Sequence, residues 1–160
     1  MKILVVSDTH GDIHKCTEIL EKEKSVDLFI HLGDYTKDVN QIKEKFNITI
    51  LNVRGNCDYL DYNTPEEEII KVNGKRILLT HGHRYGVKRG LQNLYYRSKE
   101  LELDAVFFGH THIPTLRNFD NILFFNPGSI SRPRGRNLDK TYGLITIEDN
   151  IKPNIIKVKD

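Results

Sequence analysis

The sequence predicts an α/β protein made of two packed β-sheets with helices on the outside, and three features lead there. Its first part alternates apolar strands with amphipathic helices, its later part holds short strands joined by turns, and no long Pro, Ser or Gly tract separates them. One domain over residues 1–160 is therefore expected.

Residues 2–7 form an aliphatic run without polar alternation, the pattern of a strand buried on both faces of a parallel sheet. After a turn at residues 8–11, Ile13, Cys16, Ile19 and Leu20 recur at helical spacing, so residues 12–24 read as an amphipathic helix. Residues 27–32 give a second strand. Val39, Ile42 and Phe46 mark a shorter helix, and residues 48–53 a third strand, completing a βαβαβ unit. Asn73 and Gly74 sit between two apolar runs at 69–72 and 76–80, which predicts an antiparallel hairpin. Leu91, Leu94, Tyr95 and Leu101 place a helix over 90–101, followed by a buried strand at 105–108. Short strands near 115–117, 121–125 and 142–147 and an edge strand at 155–158 finish the chain, and these later strands are expected to be antiparallel.

Composition excludes several classes. With 24 Lys plus Arg against 22 Asp plus Glu, the net charge of +2 offers no general attraction for phosphate backbones, so no stable nucleic-acid partner is expected. Apolar runs stop at about four residues, far short of the roughly 18 that span a bilayer, and no secretory leader is evident. Membrane association is thus not expected. Cys16 and Cys57 supply neither a disulfide framework nor a CxxC pair, which fits a reducing, cytoplasmic setting.

The seven histidines are the unusual count, and five of them follow predicted strands. Residues 3–7 run into Asp8 and His10, the second strand into Asp34, the third into Asn56, the fourth apolar run into His81 and His83, and the strand near 105 into His110 and His112. In an open α/β sheet the loops at the carboxyl ends of parallel strands converge on one crevice, so ligands remote in sequence can meet there. A lone DxH or HxH pair belongs more often to a polar turn, but five such strand ends together predict shared metal ligation. The set is rich in oxygen and nitrogen and has no obligatory thiolate, which suits Mn, Fe, Zn, Ni or Co better than Ca. His14 reads as a surface residue, His31 as a hydrogen-bonded core residue, and Cys16 as core packing.

The ordered set Asp8, Thr9, His10; Gly33, Asp34; Gly55, Asn56, Cys57, Asp58; His81, Gly82, His83; and Gly109, His110, Thr111, His112 resembles the calcineurin-like metallophosphoesterases. With Asn126, Pro127, Gly128 and Ser129, it is similar to their small single-domain phosphodiesterase branch of bacteria and archaea. The resemblance implies a four-layer α/β/β/α sandwich of two mixed sheets with a dinuclear metal site. It implies that Asp8, His10 and His112 hold one metal, that Asn56, His81 and His110 hold the other, and that Asp34 bridges them. Manganese is the expected metal, with Ni, Zn, Fe, Co or Mg as alternatives.

Most of the wider superfamily has histidine directly after the asparagine ligand, where this chain has Cys57, as the small branch commonly does. A thiol is a poorer proton donor than imidazolium, which predicts weak catalysis for alkoxide leaving groups and better turnover for acidic ones. His83 is the nearest partial replacement, or else a residue that orients His81; both readings stand. Catalytic roles beyond ligation therefore fall to Asn56, Cys57 and His83.

Two metals about 3.5 to 4 Å apart can lower the pKa of a shared water from about 15.7 to near 7 and stabilise both oxygens of an in-line displacement. Two divalent ions, two carboxylates and a bridging hydroxide leave a core of about +1, which a phosphodiester monoanion neutralises. A small or nucleotide-like phosphodiester is thus the expected substrate and a dianionic monoester the competitor. Arg132, Arg134 and Arg136 could grip phosphate oxygens, although a solvated loop is the plainer reading, and the turn at 126–129 reads as structural. The alternative function is a non-catalytic protein-interaction scaffold, since a retromer subunit shares this fold without a complete ligand set. Nuclease action on polymers is disfavoured by the near-neutral charge. Tyr95, Tyr96 and Phe119 are candidates for a homodimer patch or for core.

Overall fold

The structure, a computed structural model, describes residues 1–159. Strands β1 (Lys2–Val6), β2 (Leu28–His31) and β3 (Thr49–Asn52) alternate with helices α1 (His14–Lys22) and α2 (Thr36–Lys45). A hairpin of β4 (Glu67–Val72) and β5 (Lys75–Thr80) leads through one 3₁₀ turn to α3 (Gln92–Glu100). Then come β6 (Ala105–Phe107), β7 (Thr115–Phe119), β8 (Ile122–Asn126), β9 (Thr141–Ile147) and β10 (Ile151–Lys157). They form two mixed sheets, ordered β10-β9-β1-β2-β3 and β4-β5-β6-β8-β7.

Side-chain alternation explains the layers. Successive residues of a strand point to opposite faces. Ile3, Val5, Ile30, Ile77, Leu79, Phe107 and Phe125 share the cluster between the two sheets. Their neighbours Leu4, Val6 and Phe29 pack outward with Cys16, Ile19 and Leu20 of α1 and Ile42 of α2. On the other sheet, Leu78, Val106 and Phe124 pack outward with Leu94 of α3. Both faces of the central strands are covered, and this is the four-layer α/β/β/α sandwich. Gly143 marks the close approach of the sheets, since a Cβ there would sit 2.6 Å from Phe125 Cε1.

Several local expectations are corrected. The later strands are not all antiparallel: β5, β6 and β8 run parallel, just as β1, β2 and β3 do, while β9 joins the first sheet antiparallel to β1. Short apolar runs carry no signal of direction, so the second parallel trio was invisible in the pattern. Helix α2, with 10 residues, is longer than α1, with 9. Strand β10 begins at Ile151, because an edge strand tolerates Pro153, whose missing N–H faces no partner. Strand β7 reaches Phe119 and turns at Asp120 and Asn121, both with positive φ (48° and 62°), directly into β8. Tyr96 and Phe119 are exposed and so are not core, while Tyr95 is partly buried and packs against the cluster around Leu94. His14 is exposed, and His31 and Cys16 are fully buried.

Candidate metal centre

Each parallel trio delivers its carboxyl ends to the same edge of the sandwich, and the chain is cross-tied there. The Asp8 amide donates to the Gly33 carbonyl (3.1 Å), the Gly109 amide to the His81 carbonyl (3.1 Å), and the His110 amide to Asp8 Oδ2 (3.2 Å). Only glycine fits at 55 and 109, because a Cβ would collide with Asp34 Oδ1 at the first and with Ser7 Oγ at the second. The loops are sharply bent. Asp8, His10, Asp34, His110 and His112 all hold positive φ, between 48° and 68°, a conformation that costs non-glycine residues energy and clusters at functional sites.

Asp8, His10, Asp34 and His112 each offer a ligand atom within 4.8 Å of the others. Asp34 divides its carboxylate: Oδ2 lies 3.7 Å from His10 Nε2, while Oδ1 lies 3.4 Å from His81 Nε2 and accepts the Cys57 amide (2.9 Å). Asp8 Oδ2 accepts from Ser7 Oγ (2.6 Å), whereas Oδ1 faces His112 Nε2 (3.1 Å) and His81 Nε2 (3.9 Å) without a hydrogen bond. The histidines are oriented from behind. His81 Nδ1 donates to the Leu32 carbonyl (2.7 Å) and His112 Nδ1 to the Arg132 carbonyl (2.6 Å). With Nδ1 committed to a carbonyl, Nε2 of each ring is the nitrogen that faces the carboxylate oxygens, and His10 Nε2 stands 3.3 Å from His112 Nε2. A buried ring nitrogen and a carboxylate oxygen facing each other need a cation, a proton or a metal ion, between them. Among the described residues, His81 Nε2 and Asp8 Oδ1 have no hydrogen-bond partner although both are buried. The donor set fits divalent metal.

Electrostatics agree. Burial pushes the Asp8 and Asp34 carboxyls upward, but the close approach of the His112 ring to Asp8 and of the His81 ring to both outweighs it and holds both below the usual range. Burial pushes His81 down, yet the adjoining Asp34 and Asp8 carboxylates raise it when no cation is present. Burial lowers His10, and it brings His110 to about 4 with help from His81 and Lys88, so those two rings are neutral lone-pair donors at pH 7. Burial and the Asp34 charge push the Cys57 thiol up to about 11, which keeps it protonated.

The remaining predicted residues are placed as follows. The His110 ring centroid lies 5.1 Å from that of His81, and the His83 ring lies 5.5 Å from His81 and 6.1 Å from His110. His83 Nδ1 is buried without a hydrogen-bond partner among the described residues. Asn56 and Cys57 are exposed at the rim, Asn56 Nδ2 3.7 Å from Cys57 Sγ, and no hydrogen bond among the described residues draws the Asn56 amide into the acid and histidine cluster. Arg132, Arg134 and Arg136 are exposed, and the backbone of Arg132 and Arg134 holds His112 through a carbonyl and an amide. Asn126 is buried and its amide donates to the Gly109 carbonyl (2.9 Å), which ties that turn to the site.

Other contributors went unnoticed in the sequence. Asp58 accepts the amides of Tyr35, Thr36 and Gly55 (each 2.8 Å), which pins the loop after β3 to the start of α2. The Tyr35 ring packs edge-on against His10, centroids 5.3 Å apart. Asp58 lies inside the motif, but a role played through backbone amides has no signature in residue type.

A family model described as the calcineurin-like phosphoesterase superfamily domain matches residues 1–150. The chain belongs to the calcineurin-like phosphoesterase superfamily. It is similar to the probable metallophosphoesterase YsnB of Bacillus subtilis, 36% identical over 152 residues, with 94% of this chain and 86% of that one covered. Phosphodiesterase YfcE of Escherichia coli is 27% identical, with 100% and 94% covered. A crystal structure of a predicted phosphoesterase from Streptococcus pneumoniae superposes with a TM-score of 0.82 at 31% identity, over 98% of this chain and 88% of that one. Vps29 of Entamoeba histolytica, crystallised with Zn²⁺, reaches 0.79 at 21% identity, over 98% and 99%, a likeness of fold alone. As a member of this superfamily the chain is a phosphoesterase with a metal-binding site. No helix among the described residues is long and apolar enough to cross a membrane.

Proposed function

We propose that this chain, as one domain over residues 1–160, is a dinuclear-metal-dependent phosphodiesterase acting on a small or nucleotide-like phosphodiester. The observation that carries the proposal is the divided Asp34 carboxylate, one oxygen toward His10 and the other toward His81, which is how a residue shared by two cations would stand. Asp8, His10 and His112 would hold one ion and Asn56, His81 and His110 the other, with manganese the first candidate. Such ions supply a deprotonated water near neutral pH and Lewis-acid stabilisation of the phosphoryl oxygens. The chain's own residues orient and exclude. The Leu32 and Arg132 carbonyls fix His81 and His112, the Ser7 hydroxyl and His110 amide fix Asp8, and the Cys57 amide fixes Asp34. The protonated Cys57 thiol and His83 would serve only as weak donors toward a departing oxygen, so turnover would favour acidic leaving groups.

The diester preference rests on the near-balanced charge expected for the loaded centre, with support from the name of the YfcE relative. The Vps29 likeness raises the scaffold reading, but the partnerless donors His81 Nε2 and Asp8 Oδ1 favour metal chemistry. Elemental analysis of the purified protein, followed by assays on aryl phosphodiesters and monoesters in the metal found, tests the proposal. Expected are up to two divalent ions per chain and faster diester than monoester cleavage. A chain that binds no Mn, Ni or Zn and cleaves no aryl diester is the scaffold.

A further inference from the structure

A cleft of about 620 Å³ opens beside the metal centre, between α2 and the loop joining β3 to β4. Its inner wall belongs to the site: Tyr35 packs on His10, and Cys57, whose amide holds Asp34, lines the same cleft. A phosphoryl group at the acids and histidines would therefore direct one of its ester arms into this space. The outer wall carries Tyr59, which is 73% exposed, and the exposed amides of Asn40 and Asn63, which make no side-chain hydrogen bond among the described residues. An aromatic face and free amide groups thus stand open along one rim of the cleft. The rim is rigid here, because Asp61 accepts the Thr36 hydroxyl (2.5 Å) and the Asn63 and Thr64 amides (3.0 Å each), while Arg54 Nη1 donates to the Asp61 carbonyl (2.7 Å).

Charge narrows the occupant. Lys37 and Lys43 line the cleft, but so do Asp58 and Asp61, so it has no surplus for a second phosphate. The amides at the start of α2 are already taken by Asp58. What remains is aromatic surface with uncommitted amide donors and acceptors, a combination that stacks on and reads the edges of a planar heterocycle. We propose that this cleft is the subsite for one organic arm of the diester and that it takes an uncharged, hydrogen-bonding aromatic group, as in a nucleoside. The proposal rests on the phosphodiesterase reading above.

Two diesters with a common leaving group test it: p-nitrophenyl methyl phosphate and the p-nitrophenyl ester of thymidine 5′-phosphate. The nucleotide ester is expected to show a kcat/KM about tenfold higher, the scale of one stacked base. Asn40→Ala with Asn63→Ala, and separately Tyr59→Ala, should bring the ratio toward one while leaving the methyl ester within about twofold. A ratio near one in the parent protein, or one these substitutions do not move, overturns the subsite. A binding arm is independent of turnover. Thymidine 5′-phosphate should shift the side-chain amide resonances of Asn40 and Asn63, and ribose 5-phosphate should not; equal effects, or none, also overturn it. Loss of both hydrolytic activities with this selective shift retained would count against the phosphodiesterase reading and in favour of the cleft.

Discussion

His31 and His81 are equally and completely buried, close to the ends of β2 and β5, yet they do opposite things. His31 belongs to a closed network. Its Nδ1 accepts the Gly33 amide (3.2 Å), its Nε2 donates to Thr9 Oγ1 (3.1 Å), and Thr9 in turn donates to Asp38 Oδ2 (2.6 Å). His81 spends one nitrogen on the Leu32 carbonyl and leaves the other facing Asp34 and Asp8 with no bond. Burial therefore does not separate architecture from site, but hydrogen-bond completeness does. One histidine has both nitrogens satisfied by the chain itself, and the other has only one.

The largest expected effect breaks the unfinished side. Asp34→Asn removes the charge shared between His10 and His81, and hydrolysis of an aryl phosphodiester should fall to background in every divalent metal. Turnover retained in any of them would contradict a shared carboxylate. Chelation should reveal the same asymmetry in stability. Ligand at about 100 times its Kd stabilises by about 2.7 kcal/mol, so removing metal should lower the melting temperature by roughly 5–10 °C. That difference should persist in His31→Ala and shrink in His81→Ala. If both variants kept it unchanged, His81 would not be a ligand.

On the finished side the loss should be of stability. His31→Ala leaves Thr9 Oγ1 and the Gly33 amide short of a partner, and buried groups so orphaned cost about 1–3 kcal/mol. Urea unfolding of the metal-free protein measures this. His81→Ala should cost less in the same experiment at a pH above the raised pKa of His81, because the neutral ring then gives up only its bond to the Leu32 carbonyl while its Nε2 has no partner. A larger loss for His81 than for His31 would reverse the comparison.

The two sides also differ in how far the sequence disclosed them. Asp8, His10, Asp34, His81, His110 and His112 stood out because apolar runs ended on them, and that is a statement about residue type and position. The outward and inward layers were legible for the same reason, since Ile3, Val5 and Leu4, Val6 must face opposite ways. What holds the site was not legible. Asp58 and Asp38 act by accepting backbone amides, and no residue pattern announces which amides will be near. Tyr35 matters through a packing contact with His10, and the parallel sense of β5, β6 and β8 arises from pairing, which a short apolar run does not encode. The positive φ values of Asp8, His10, Asp34, His110 and His112 follow from loops that only the assembled sheets define.

The smallest effect is the most diagnostic, because its sign differs between the two histidines. In metal-free protein, burial works against the charged form of His81 but Asp34 and Asp8 raise its pKa above the ordinary 6.5. Folding then favours the protonated form, a contribution fully present below about pH 6.5 and lost as pH rises through the raised value. Burial depresses the pKa of His31, with Asp38 and Asp58 opposing only in part. Its contribution is present above about pH 6.5 and is lost as pH falls toward the depressed value. Melting temperatures measured with chelator between about pH 5.5 and 8 should therefore respond oppositely to the two substitutions. His81→Gln should remove a component that declines with pH, and His31→Gln one that rises with it. Adding metal inverts the first slope, since the ion takes the lone pair that the proton held and competes better as pH rises. The same slope change in both variants would mean that the Asp34 and Asp8 carboxylates do not govern His81, and the contrast between a completed and an incomplete histidine would lose its electrostatic basis.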